Sequence, residues 1–179
     1  DGDEQLVAWT LRNAMAERGR VAAYDELLAS AMGLIGERWA KGEWGIAEEH
    51  VATQTIARAL ADVRPAETED ERVRPLAVLA GVAGEHHMVG LICLAHILEE
   101  SGWRTANLGA DIPGDEVARF ASRQGASLVA PANASVALTG GIPTTATTTP
   151  TEIRELFDKH QVATGRINYA PVLAPVLAR

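Results

Sequence analysis

The chain of 179 residues has one cysteine, Cys93, so it cannot form an internal disulfide. Its place among Leu91, Ile92 and Leu94 predicts a buried helix position rather than a reactive thiol. No apolar run approaches the roughly 20 residues that a membrane helix requires. The opening D-G-D-E-Q has neither the positive charge nor the apolar stretch of a secretory signal. These absences predict a soluble, cytoplasmic protein without membrane contact. Positive charge is also scarce, with 16 Lys and Arg against 24 Asp and Glu and a net charge of −8. Gripping a phosphate backbone calls for clustered Lys and Arg, so no direct nucleic-acid contact is expected from this segment, and DNA binding would need another domain. A helical pattern begins almost at Asp1, which implies a fragment whose preceding domain has been removed.

A hydrophobic content of 47% is enough for an ordinary core, and it is distributed in two patterns. From Leu6 to Leu60 apolar residues recur at three- and four-residue intervals in an Ala-, Leu-, Glu- and Arg-rich background, predicting a bundle of three or four helices. Breaks are expected near Arg18 to Arg20, near Ser30, and at Gly42 to Gly45. Residues Arg64 to Pro75 are charged, aperiodic and bracketed by prolines, as a solvated connection would be. Beyond them strands and helices alternate: a strand at Leu76 to Val82, a helix at Met88 to Ser101, and a strand at Arg104 to Leu108. A helix from Pro113 to Arg123 follows, then a strand at Ser127 to Ala130, a helix at Glu152 to His160 and a short strand near Val162. The Thr-rich tract Thr144 to Thr151 reads as an exposed loop. The expected architecture is α/β: a helical bundle over 1–63, a linker over 64–75, and a doubly wound parallel sheet over 76–179 that binds ligands at the carboxyl ends of its strands.

At one such end stands G-E-H-H-M-V-G, Gly84 to Gly90. Neutral imidazole is a good transition-metal ligand, and a carboxylate two residues away can take its other ring N–H and fix the tautomer. Glu85 is placed to do this for His87, and Gly90 would let the backbone approach a large planar ligand. The spacing E-x-H-x-x-G resembles the cobalamin-binding signature D-x-H-x-x-G, in which the histidine ligates cobalt from below. A second set lies in the helical half, where Trp39 is followed ten residues later by Glu49 and His50. W-x9-E-H resembles the bundle signature of the CarH-type light-sensing transcriptional regulators. The resemblance runs from about Leu6 to Leu128 and includes G-A-D-I-P at Gly109 to Pro113, similar to the family's segment after its second strand.

The resemblance implies a Rossmann-like, flavodoxin-like cobalamin-binding domain with His87 as the metal ligand and Glu85 as its orienting partner. Trp39, Glu49 and His50 would cover the upper face of adenosylcobalamin. It further implies a non-enzymatic photoreceptor whose self-association, as a dimer or tetramer, controls an attached or partner effector such as a DNA-binding domain. The chain also departs from the family. Where some relatives carry a histidine able to take the upper cobalt position after light, this chain has Ala40, so a two-histidine photoproduct would need His50 or another group. The serine motif for the nucleotide tail is altered, with Ser135 the nearest candidate, and of a usual Gly-Gly pair only Gly165 remains. These departures leave room for a sensor that adds or substitutes a bilin chromophore. A corrinoid methyl carrier of a methyltransferase system shares the helical bundle and the lower histidine, and an interaction domain that has lost its cofactor would keep the same fold.

Overall fold

Asp3 starts the first helix: its carboxylate accepts from the Leu6 N–H at 2.9 Å, satisfying one of the donors a helix N-terminus leaves open. The computed structural model describes residues 2–66 and 73–132, which divide into two units between Arg64 and Pro65. The expected helix at Glu152 to His160, the strand near Val162 and the Thr-rich loop lie outside the described residues, as do residues 67–72 of the expected linker.

The first unit is helical throughout. Helix α1, Glu4–Arg18, ends at Gly19, whose φ of 83° and ψ of 162° fall in a region open essentially to glycine. From Arg20 the chain stays helical to Ala40: α2 (Arg20–Ala22) passes through a π-helical segment, Ala23–Leu28, into α3 (Ala29–Ala40). The break expected near Ser30 is therefore absent. The Ser30 hydroxyl donates to the Glu26 carbonyl one turn back, so it bonds along the helix instead of capping a new one. A turn through Gly42, at φ 70°, leads to α4, Ile46–Asp62.

The helices bury Ala8 and Leu11, Tyr24 and Leu28, and Ile56, Ala59 and Leu60. Burying each of these Leu and Ile side chains contributes about 1.5–3 kcal/mol. Arg12 and Arg20 donate to the Asp62 and Val63 carbonyls at 3.1 and 2.8 Å, placing positive charge where the α4 carbonyls end. Arg20 also donates to the Tyr24 hydroxyl at 3.0 Å.

The second unit is a parallel sheet in the order β2-β1-β3, formed by β1 (Leu76–Gly81), β2 (Arg104–Asn107) and β3 (Leu128–Ala132). Ala77 pairs with Thr105 on one side and Leu128 on the other, so β1 is central and all six of its residues are buried. This explains why β1 reads as an unbroken apolar run rather than an alternating one. Leu76, Val78 and Ala80 join Val117, Ala118 and Ala121 of α6 (Gly114–Gln124) in one cluster. Helix α5, Val89–Glu100, connects β1 to β2 in the opposite direction from the β2-to-β3 crossover through α6. Right-handed crossovers therefore place the two helices on opposite faces of the sheet. The chain direction reverses at β1, and the carboxyl end of such a reversal is where open α/β sheets hold ligands. Among the described residues no helix is long and apolar enough to cross a membrane.

Candidate functional site

Residues Val82 to Met88 leave the carboxyl end of β1 and are fixed chiefly by the loop that follows β2. Gly81 donates to the Gly109 carbonyl at 2.8 Å, and Ile112 donates back to the Gly81 carbonyl at 3.0 Å. Gly84, at φ 86°, donates to the Asp111 carboxylate at 2.8 Å, while the Asp111 N–H reaches the Glu85 carbonyl at 2.9 Å.

On this loop Glu85 is only 6% exposed, whereas the His87 side chain is 74% exposed. One Glu85 oxygen accepts from the His87 backbone N–H at 2.8 Å and lies 2.5 Å from His87 Nδ1. With Nδ1–H donated to that carboxylate, the neutral ring carries its lone pair on Nε2. The buried member therefore orients the ring and the exposed member presents it. His86 is exposed, as is Met88, while Gly90 is half-buried in the first turn of α5. Among the described residues no group of three or more His, Cys, Asp or Glu is arranged to hold a metal ion.

In the helical unit, Trp39 lies in the last turn of α3 and is 54% exposed, so it is not a core aromatic. The Arg38 guanidinium stacks over the Trp44 ring 5.3 Å from its centroid, and the Arg38 carbonyl accepts from the Glu43 and Trp44 N–H groups, closing the turn that follows. Glu49 and His50 fall in the first turns of α4. One Glu49 oxygen lies 2.5 Å from His50 Nδ1, and the other accepts from the Thr53 hydroxyl at 2.7 Å. His50 is thus a second exposed imidazole with a carboxylate on Nδ1.

Residues 1–63 match the family described as B12 binding domain. The first unit is thus similar to that family. The chain is also 30% identical over 117 residues to the HTH-type transcriptional repressor CarH of Myxococcus xanthus, covering 65% of this chain and 38% of that protein. It is 40% identical over 68 residues to the HTH-type transcriptional repressor CarA of the same organism, covering 38% of this chain and 23% of that one. Both relatives are therefore much longer than the part this chain matches. The two alignments support a cobalamin-binding domain of the CarH type. Among solved structures, the methanol:cobalamin methyltransferase complex MtaBC from Methanosarcina barkeri aligns with 98% of this chain and 74% of its own, at 15% identity and a TM-score of 0.37. A likeness that slight carries no functional argument.

Within the stretch that matches this family lie Trp39, Glu49 and His50; Glu85, His87 and Gly90 belong to the sheet unit. Ser135 and Gly165 lie outside the described residues. Asp111, within G-A-D-I-P, is not among the site residues that spacing predicts, yet it holds the histidine loop. Its one local signal in the sequence is an Asp that follows Gly109 and Ala110 shortly before a helix, a residue type that tolerates left-handed backbone.

Proposed function

We propose that the chain is a non-enzymatic photoreceptor module that binds adenosylcobalamin, with His87 as the residue that would hold its cobalt. The observation that carries this reading is the Glu85–His87 pair at the carboxyl end of β1: a buried carboxylate on Nδ1 and an exposed ring with Nε2 available. A loop without three or more such protein ligands suits a metal most of whose positions would be filled by its own macrocycle, which is what a corrinoid would supply. The residues present therefore fit the group. When bound, adenosylcobalamin would supply a cobalt–carbon bond that light can break.

The chain's own residues divide the remaining tasks. Glu85 fixes the tautomer and orientation of His87. Trp39 would offer an exposed apolar surface, and Glu49 and His50 hydrogen-bonding groups, to an adenosyl group. Contacts that these residues would make to an adenosyl group would be lost with it, so two arrangements of the protein would then differ in stability. The output is a change in self-association that controls a DNA-binding effector outside this segment, in keeping with the names of the two repressors. A methyl-carrier role would require an open upper face, and the exposed Trp39 with the Glu49–His50 pair counts against it.

The test is the absorption spectrum of purified protein mixed with adenosylcobalamin in the dark, freed of unbound cofactor, and recorded again after green light. Retained cofactor with a light-dependent change is expected, together with a change in elution volume on gel filtration. Absence of retained cofactor overturns the reading. Retention without a response to light leaves a cobalamin-binding domain and removes the photoreceptor.

A further inference from the structure

Resting on the cobalamin reading, we infer that Asp111 is a positioning residue that sets how His87 meets the metal. Among the described residues Asp111 alone, glycine aside, has a positive φ, 55°. Held in that conformation it grips the ligand loop at two successive residues. Its carboxylate accepts from the Gly84 N–H at 2.8 Å, and its own N–H donates to the Glu85 carbonyl at 2.9 Å. Little slack remains beneath this clamp, because a Cβ added at Gly81 would lie 3.1 Å from the Ala110 Cα and 3.4 Å from the Glu85 carbonyl oxygen. Glu85 then transmits its position to His87 twice, through the backbone N–H and through Nδ1. The chain of contacts runs from the loop after β2, through the Glu85 backbone and carboxylate, to the imidazole. A shift at Asp111 therefore moves the ring without altering any group that touches the metal.

The side chain and the backbone geometry can be separated by substitution. Asp111→Gly keeps the positive φ and removes the acceptor, whereas Asp111→Asn tolerates the same φ and keeps a side-chain oxygen. The experiment loads the full chain with hydroxocobalamin, reduces it to cob(II)alamin, and records the electron paramagnetic resonance spectrum with ordinary and with heavy-nitrogen histidine. The label identifies histidine as the axial nitrogen. Wild type and Asp111→Asn are expected to show the histidine splitting. Asp111→Gly should bind about tenfold more weakly with a reduced histidine-bound fraction, at the low end of what losing an outer partner of a metal ligand costs. Amide exchange of the cofactor-free protein should quicken in Asp111→Gly only over residues 83–88.

An Asp111→Gly spectrum and affinity equal to wild type overturn the inference, and so does an Asp111→Asn that behaves like Asp111→Gly. Faster exchange spread through β1 and α5 also overturns it, since the residue would then be structural. If wild type itself shows no histidine splitting, the cobalamin ligand assignment fails and the inference fails with it. That outcome is distinct from a wild type that splits while Asp111→Gly splits equally.

Discussion

Glu85 and His87 separate two properties that one side chain cannot combine, since an exposed imidazole is accessible but rotationally free, and a buried carboxylate is fixed but inaccessible. Joined through Nδ1, the pair is both presented and oriented. His87→Ala should abolish the histidine nitrogen signal of bound cob(II)alamin. Glu85→Gln should keep it while weakening cobalamin retention by about 10- to 100-fold, measured by equilibrium dialysis. Equal affinity of Glu85→Gln and wild type would leave the carboxylate without an orienting role. The spacing E-x-H made this pair legible in the sequence, because two residues on one short loop are close in any fold. The burial of one and exposure of the other were not legible, since they depend on how the loops after β1 and β2 meet.

At the scale of elements, the glycines show that backbone angle decides the sign of a substitution. Gly19→Ala has open space for its Cβ but a φ of 83°, and should cost about 1–3 kcal/mol in urea unfolding. Gly36→Ala also meets nothing within 4 Å but sits inside α3, and should stabilise by about 0.5–1 kcal/mol. In the π-helical segment, Asp25 has its carboxyl pushed above the usual aspartate range, first by partial burial and then by the adjacent Glu26 charge. The folded state then holds the proton more tightly than the unfolded state. Asp25 therefore lowers stability as pH rises from its ordinary titration range through the raised one. Asp25→Asn should raise stability at neutral pH by less than about 0.5 kcal/mol, with the gain vanishing in acid, as thermal melts across pH would record. The helix ends at Gly19 and Gly42 were visible as sequence breaks. The false break at Ser30 arose because serine caps helices as readily as it bonds back along one, and only the neighbouring turn decides between them.

For the whole molecule, a ligand bound only by the folded chain adds stability by mass action, about 2.7 kcal/mol at a hundredfold excess over its Kd. Adenosylcobalamin should therefore raise the melting temperature in the dark, and less so for His87→Ala; an unchanged wild-type melt would count against the cofactor. The net charge of −8 predicts that this chain alone does not retard duplex DNA in a mobility gel at physiological salt. The alternation of strand and helix patterns by itself determined the α/β class, because short apolar runs and period-3.6 stretches are written into residue order. It also placed the histidine loop after β1. Tertiary structure alone decided that β1 is the central strand, that Trp39 remains exposed, and that Asp111, 24 positions after His87 in the numbering, braces the histidine loop. Those facts depend on parallel pairing and loop-to-loop hydrogen bonds between residues far apart in the chain, which local spacing does not encode.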